Sequence, residues 1–406
     1  MTLRPLVAAM AGALALTVAH ARDPIHSATR LAFADAGTLF VADWRGARIH
    51  ALTVPSPSDV AGEPFNLKDV QGPIAKALHV DRSRLRFEDM AAQPGTEVVY
   101  VALSVSQGKG PAAPALVAID AKGTVKVVDL KAVPSRSAAI TDAPADNLKL
   151  WRDLPAQSLT VTGMTFHNHK LYVAGLSNRT FASTLRVYDY PFTGKASAAT
   201  VEVYHAVHDQ VETRAPIRAL TIATLDGVPT MVAAYTCTPL VAIPLTDIKD
   251  GAHITAKMIG EMGWGSEPIR LVTFSAGNAD YALLLNSSRG ADLIPMSEIA
   301  AAAAKPGLRE PIKWPLEPLE GVKAVMVPMS ATTQVDNLNK DLLVALRRTD
   351  ASGDMQLVTV PKGAYLRVSD FVNEYDFPDF RYGAKDPFHE AHKYFHRIEG
   401  YPELVR

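Results

Sequence analysis

Short apolar segments recur along the chain, and within most of them apolar and polar side chains alternate. Six groups of segments follow one plan: a short apolar strand, a turn, a more strongly apolar strand with a polar end, and then further alternating strands. The groups begin near residues 31, 87, 161, 217, 269 and 324, at intervals of 52 to 56 residues except for one of 74. Alternation between turns rich in Gly, Pro, Asn and Asp predicts β-strands.

This repeat predicts an all-β fold, because four-stranded units that recur along a chain are typical of β-propeller blades. We expect a β-propeller of about six, or seven, four-stranded blades, and we interpret the Pro-, Ala- and Asp-rich segment Lys131–Pro155 as an insertion. A pair of β-sandwiches is the alternative architecture. Helices are expected only at Val70–His79, at Ser297–Ala304 and in a short C-terminal tail.

One hairpin of the first group carries a family resemblance. Leu39–Trp44 reads Leu-Phe-Val-Ala-Asp-Trp and is followed by Arg48–Leu52, Arg-Ile-His-Ala-Leu. These segments resemble the repeat of secreted bacterial β-propellers of the lactonase-like and YVTN/NHL-repeat type, and the pattern covers most of the chain. The resemblance implies a propeller fold. Those families include lactonases, dehydrogenases and binding platforms, so the resemblance assigns no chemistry.

Residues 1–21 have the pattern of a secretory signal peptide. Arg4 precedes a 13-residue apolar run, Leu6–Val18, and Ala19-His20-Ala21 places small residues at the cleavage positions. The run is shorter than the roughly 20 apolar residues that cross a bilayer, and no later stretch is longer. We therefore expect a periplasmic or secreted protein with no integral membrane segment after cleavage.

Charge and cysteine content exclude several functions. The 41 Lys and Arg residues are balanced by 42 Asp and Glu residues, which argues against nucleic-acid binding. The single cysteine, Cys237, excludes an intrachain disulfide framework, a Cys-based zinc cluster and covalently attached c-type haem. No histidine lies near Cys237 in the sequence, so we interpret it as a small buried apolar residue. Nucleophile-elbow, zinc-helix and phosphate-loop motifs are absent from the sequence.

Aligning the first strands brings charged residues into one column. Pro216–Leu220 aligns with Pro268–Val272 and with Gly321–Val325. The column reads Glu88, Thr162, Arg218, Arg270 and Lys323. Because the first strand of each propeller blade lines the central channel, three cations opposite Glu88 would form an arc suited to a carboxylate or another anion. The alternative is that each cation pairs with a carboxylate and holds neighbouring blades together.

The loops between second and third strands should open on the same face of a propeller. Their polar residues extend the predicted ligand-binding set with Arg45, Arg179, Asn286 and Arg289. Turns favour Asn for local backbone reasons, whereas they do not require Arg. The predicted site is therefore a cationic face at the channel mouth.

The predicted propeller domain, residues 22–370, is followed by an aromatic- and His-rich tail, residues 371–406. In this tail His389, His392 and His396 share one face of a predicted helix, because they are spaced i, i+3 and i+7. Imidazoles on one face can hold a transition metal. A packing stripe or an exposed face is the alternative.

Two classes of function remain open. The first is a propeller that binds a small anionic ligand or a partner protein through its cationic face, with no catalysis assigned. The second is a metal-dependent lactonase or esterase, in which Glu88, Asp89, Asn178 and Asn286 would supply oxygen ligands to calcium. A weaker alternative is a metal-handling accessory protein that uses the tail histidines. Whether the protein is an enzyme stays open, and the cofactor is unknown, with calcium and a transition metal as the candidates.

Overall fold

The structure is a computed structural model that describes residues 23–56, 64–263, 266–288, 290–312, 320–327, 329, 331–349, 352–362, 379 and 381. The first strands of the chain are β1 (Leu31–Asp35), β2 (Thr38–Asp43), β3 (Arg48–Thr53), β4 (Asn66–Leu67), β5 (Leu85–Ala92), β6 (Val98–Val105), β7 (Ala113–Asp120), β8 (Val125–Val127), β9 (Ser135–Ala139), β10 (Gly163–His167), β11 (Lys170–Leu176), β12 (Ser183–Asp189) and β13 (Ser197–His205). The remaining strands are β14 (Gln210–Glu212), β15 (Ile217–Leu225), β16 (Val228–Tyr235), β17 (Pro239–Pro244), β18 (His253–Glu261), β19 (Pro268–Ala276), β20 (Ala279–Asn286), β21 (Ala291–Pro295), β22 (Glu320–Gly321), β23 (Val325–Val327), β24 (Thr332–Asn337), β25 (Leu342–Arg348) and β26 (Met355–Pro361).

Most strands belong to six antiparallel runs of four, which we call units 1 to 6. Their strand orders are β1-β2-β3-β9 in unit 1, β5-β6-β7-β8 in unit 2, β10-β11-β12-β13 in unit 3, β15-β16-β17-β18 in unit 4, β19-β20-β21-β23 in unit 5 and β24-β25-β26-β4 in unit 6. Units 1, 2, 5 and 6 are separate four-stranded sheets. Units 3 and 4 share one ten-stranded sheet, because β13 pairs in parallel with β18. We expected six or seven separate blades, but among the described residues only four four-stranded sheets stand alone, because this parallel pairing joins units 3 and 4.

Six apolar clusters hold the units in a closed cycle. Each cluster fills the space between two neighbouring units, and together they follow the order 2, 1, 3, 4, 5, 6 and back to 2. The first strands contact one another in the same cyclic order. The all-β fold and its propeller-like arrangement are thereby confirmed, whereas a pair of β-sandwiches would not close such a cycle.

The second strand of each unit is strongly apolar because neighbouring units cover both faces of its sheet. In β11 the six residues after Lys170 are all buried, and in β16 the six residues after Pro229 are all buried. Continuous apolar strands are typical of sheets that are covered on both faces. The first strands mix buried with partly exposed residues, because they lie along the central axis.

The chain does not visit the units in cyclic order. After β3 it adds β4 to the outer edge of unit 6, builds unit 2, and returns to complete unit 1 with β9. Unit 2 therefore lies between units 6 and 1. The segment Lys131–Pro155, which we interpreted as an insertion, supplies this returning strand, so that interpretation was wrong for Ser135–Ala139.

The first strand of unit 6 lies later in the sequence than expected. We predicted it near residue 324, but it is β24, with the largely polar sequence Thr-Thr-Gln-Val-Asp-Asn. The apolar run around Val322 instead connects two outer strands, since β22 pairs with β18 and β23 pairs with β21. Val322 is buried there between units 4 and 5, which explains its apolar character.

Two of the expected helices are present, α1 (Gln71–Leu78) and α2 (Met296–Ala303). Short 3₁₀ turns lie at Arg82–Arg84, Trp151–Asp153, Ala156–Leu159 and Leu245–Asp247. Within the described ranges, no helix combines the length and the apolar character needed to cross a membrane. The expected signal peptide lies outside the described residues, as does the expected helical tail apart from residues 379 and 381.

The buried carboxylate of Asp43 binds residues that precede β1 to unit 1 through hydrogen bonds. Asp43, at the end of β2, accepts hydrogen bonds from the His26 N–H at 2.8 Å, the Ser27 hydroxyl at 2.7 Å and the Gly46 N–H at 3.0 Å. His50 Nε2 lies 3.6 Å from the same carboxylate. Burial acts to raise the pKa of Asp43, but His50 and these hydrogen bonds outweigh it and hold the pKa below its ordinary 3.8.

We predict that Asp43→Ala lowers the free energy of unfolding by about 3 kcal/mol, because it leaves buried donors without an acceptor. Since the pKa of Asp43 is lowered by folding, its contribution is present above a pH of about 4 and is lost as the pH falls through the lowered pKa. Urea denaturation at neutral and acidic pH measures both effects. Asp35→Ala is the control, because Asp35 is exposed and accepts one bond from the Gly37 N–H. Equal losses in the two variants would contradict the prediction.

Candidate functional site

A cavity of about 170 Å³ lies on the axis of the cycle of units. Every unit contributes lining residues from its first strand or from the residues just before that strand. The charged residues of the lining are Arg30, Asp89, Arg218, Arg270 and Asp336. The sequence placed three cations in one column. Two of them, Arg218 and Arg270, do lie together at the axis.

Arg270 is paired with carboxylates from two other units. Its Nη1 lies 3.5 Å from Asp89 Oδ1 and its Nη2 lies 3.4 Å from Asp336 Oδ2. Asp89 also accepts the Leu31 N–H at 2.7 Å, and Asp336 accepts the Ala92 N–H at 3.0 Å. Burial acts to lower the pKa of Arg270, but the two carboxylates outweigh it and raise the pKa above its ordinary value. Arg270 thus takes the alternative role, that of holding neighbouring units together.

Arg218 has no such partner. Among the described residues, its guanidinium forms no ion pair or hydrogen bond, and it is half-buried. Burial and the like charge of Arg30 lower the pKa of Arg218 to about 10, and Glu267 offsets only part of this effect. Arg218 is therefore a cation in surroundings that disfavour its charge.

Arg30 is held in place by backbone carbonyl groups and not by a carboxylate. Its Nε donates to the Thr162 carbonyl at 2.8 Å, and its Nη1 donates to the Thr29 carbonyl at 2.6 Å. These bonds orient the guanidinium but do not neutralise it. Because Arg270 engages both aspartates, the charges of Arg30 and Arg218 are left without a matching carboxylate in the cavity.

Two other residues of the predicted column, Lys323 and Glu88, do not line the cavity. Lys323 is exposed between the outer strands β22 and β23, so its predicted position at the channel was wrong. Glu88 pairs with Arg86, whose Nη2 lies 2.5 Å from its carboxylate. The register of β5 shifts between Phe87 and Asp89, and it is Asp89 that lines the cavity. A β-bulge of this kind redirects side chains relative to a simple alternation.

The predicted loop residues are engaged locally. Arg45 is exposed and donates to the Ala112 carbonyl at 2.7 Å. Arg179 Nε lies 3.6 Å from Asp142. Asn286 is buried, and its side-chain amide donates to Asp292 at 3.0 Å. Of these three residues, Arg179 and Asn286 contact carboxylates, whereas Arg45 is oriented by a carbonyl group and keeps its exposed charge. The other predicted residues, Arg289, His389, His392 and His396, lie outside the described residues.

Two charged residues of the cavity, Arg30 and Asp336, were not predicted from the sequence. Arg30 immediately precedes Leu31 at the start of β1, much as Arg218 follows the first residue of β15. Including the first group in the alignment of first strands would have shown this cation. Asp336 gave no such signal, because the strand that contains it is mostly polar.

Comparison with known proteins identifies no family for this chain. No protein-family model and no curated protein matches the sequence. Similar solved structures include the PQQ-bound aldose sugar dehydrogenase of Streptomyces coelicolor, with 12% identity over 84% of this chain and 96% of that chain and a TM-score of 0.35. Another is the xyloglucan PUL protein GH43B of Bacteroides ovatus, with 10% identity over 68% of this chain and 51% of that chain and a TM-score of 0.30.

A third similar structure is Raptor of Chaetomium thermophilum, with 10% identity, coverage of 83% of this chain and 24% of that chain, and a TM-score of 0.32. The chain thus spans about half the length of the Bacteroides protein and a quarter of Raptor. Such low similarity carries no argument about fold or activity. The finer resemblance to lactonase-like and YVTN/NHL propellers stays a prediction.

We predict that Arg270→Met lowers the free energy of unfolding by about 3–5 kcal/mol, because it leaves the buried carboxylate of Asp89 and the partly buried carboxylate of Asp336 without their cation. Arg218→Met should cause no such loss, since it removes a half-buried cation that forms no ion pair with any described residue. Urea denaturation of both variants beside the unchanged protein measures the difference. Similar destabilisation by the two substitutions would contradict the assigned roles.

Proposed function

We propose that the protein is a six-bladed β-propeller, periplasmic or secreted, whose axial cavity binds a small anion. In this proposal units 3 and 4 count as two blades that are joined at their outer edges. Six apolar clusters, one at each junction between units, support that count. The proposal assigns no catalytic step.

The observation that carries the proposal is the pair of arginines without carboxylate partners. Arg218 has all of its N–H donors available, and Arg30 has its Nη2 group available among the described residues. A guanidinium binds carboxylate and phosphate oxygens in a two-pronged geometry, and the interaction strengthens away from bulk water. An anion in the cavity would neutralise both cations.

The size of the cavity limits the ligand. Its volume of about 170 Å³ is below the roughly 300–1,000 Å³ of pockets that hold drug-sized ligands. Phosphate, sulfate or a short carboxylate is therefore a better match than a large metabolite. A single carboxylate at the end of a longer molecule would also fit, with the remainder of that molecule outside the cavity.

A small anion is favoured over a partner protein because the unmatched charge lies inside the cavity. Of the two described arginines of the predicted loop face, Arg179 is paired with Asp142, which leaves Arg45 as a single exposed cation. A protein partner would need charge on the outer surface to recognise.

The calcium-dependent hydrolase is supported less well. Of its four suggested oxygen ligands, only Asp89 lines the cavity, and its carboxylate is engaged by Arg270 and the Leu31 N–H. Asn286 is buried against Asp292. A hard cation would also be repelled by Arg218 and Arg30.

We predict that inorganic phosphate or sulfate raises the melting temperature by a few degrees relative to chloride at equal ionic strength, because a ligand of the folded state stabilises it. Arg218→Gln and Arg30→Gln should each remove most of this rise. Differential scanning fluorimetry over a series of anions, including acetate, measures the effect.

Arg45→Gln is the matched control, since it removes an exposed arginine whose guanidinium donates to a backbone carbonyl. It should keep the full anion response. If no anion in the series exceeds the chloride response, or if the rise survives in Arg218→Gln, the cavity is not the anion site.

A further inference from the structure

A second group of chemically active side chains lies where units 3 and 4 meet, away from the axial cavity. His205 ends β13, His208 lies in the turn before β14, and Cys237 lies in the loop between β16 and β17. Each residue offers one ligand atom, and these atoms all lie within 4.8 Å of one another. We interpreted Cys237 as a small buried apolar residue because no histidine lies near it in the sequence. In the structure it is partly exposed and two histidines lie beside it, so that interpretation was wrong.

A carboxylate behind the histidines holds both imidazole rings. Glu212 Oε1 lies 2.9 Å from His205 Nδ1 and 2.6 Å from His208 Nδ1. When Nδ1 carries the proton and donates it to this carboxylate, Nε2 is the ring atom left to bind a metal ion. Nε2 of His205 lies 3.0 Å from the Thr238 hydroxyl, so a bound ion would replace that contact. A carboxylate behind a ligating histidine is the usual second layer of a zinc site.

A buried carboxyl group beside the cluster points independently to a cation. Burial raises the pKa of this group, so its negative charge is disfavoured unless a positive charge lies close to it. Glu261, the last residue of β18, is fully buried. Its Oε1 accepts the Gly263 N–H at 3.2 Å, whereas its Oε2 has no hydrogen-bond partner in the part of the chain that the structure describes. Thr238 adjoins both this carboxylate and His205, so Glu261 faces the cluster. Burying a carboxylate that is only partly satisfied is costly unless a positive charge lies close to it.

We propose that His205, His208 and Cys237 bind a borderline-soft transition metal ion, Zn²⁺, with Glu261 as the compensating charge beside it. Two imidazoles and a thiolate favour zinc over calcium or magnesium, which prefer oxygen ligands. Binding deprotonates the Cys237 thiol, and that proton leaves to solvent. The exposed His208 and partly exposed Cys237 give the ion a route of entry.

The thiol allows a direct test on the full chain. Because the sequence contains one cysteine, any thiolate signal comes from Cys237. Addition of Co²⁺ should produce a thiolate-to-cobalt charge-transfer band at one equivalent, and Zn²⁺ should remove the band by displacement. Saturating Zn²⁺ should also slow alkylation of the thiol by iodoacetamide at least tenfold. Both measurements use the unchanged protein, so neither depends on whether a variant folds.

Substitutions then assign the ligands. Cys237→Ser should abolish the charge-transfer band, and His205→Ala and Glu261→Gln should each weaken Zn²⁺ binding by about 10-fold or more in a chelator competition. His253→Ala is the matched control, since His253 likewise contacts a threonine and a glutamate, Thr200 at 2.8 Å and Glu202 at 3.0 Å, but no thiol. It should leave Zn²⁺ affinity unchanged.

The tail histidines need a separate control, because they could bind Zn²⁺ by themselves. Replacing His389, His392 and His396 together by Ala should leave the charge-transfer band and the thiol protection intact. An alkylation rate that Zn²⁺ does not change, with no charge-transfer band, would overturn the proposal and leave Cys237 and His205 as a thiol–imidazole pair. A band that persists in His205→Ala at unchanged affinity would overturn the assigned ligands.

Discussion

The closed cycle of apolar packing is the constraint on which the rest of the structure depends. Each unit buries side chains on both faces of its sheet, so every unit needs two neighbours. The cycle is closed by strands that leave their local order, β4 in unit 6 and β9 in unit 1. Once it is closed, the first strands must converge on one axis. Polar groups on those strands are then removed from bulk water and need partners within the protein.

The charged side chains at the axis differ in whether they have such partners. Arg270 spans the two carboxylates of Asp89 and Asp336, so its charge is matched across three units. Arg218 and Arg30 lie in the same cavity without such a match. A fold selected for stability alone would gain by replacing Arg218 with an apolar side chain, since even well-paired buried ions are seldom stabilising. Its presence is the physical reason to expect a ligand of opposite charge.

Local patterns were enough to predict the strands, both helices and two axial arginines. Alternation and turn residues mark strands within a few positions, and the shared Pro-Ile-Arg sequence placed Arg218 and Arg270 in one column. The predicted position of Lys323 was wrong because the apolar run around it packs between outer strands, whereas the first strand of unit 6 is mostly polar. The position of unit 2 and the partners of β4 and β9 depend on contacts between distant segments, for which a single sequence carries no signal.

The cluster around Cys237 could not be predicted either, because it too depends on contacts between distant segments. Its location follows from the junction between units 3 and 4. Units 3 and 4 are joined by parallel pairing of β13 with β18, so both strands end on the same side. His205 and Glu261 are the last residues of these two strands. The pairing that joins the two sheets therefore also places the imidazole of His205 and the buried carboxylate of Glu261 close to the thiol of Cys237. Since the other units form separate sheets, this junction is where the architecture itself brings such ligands together.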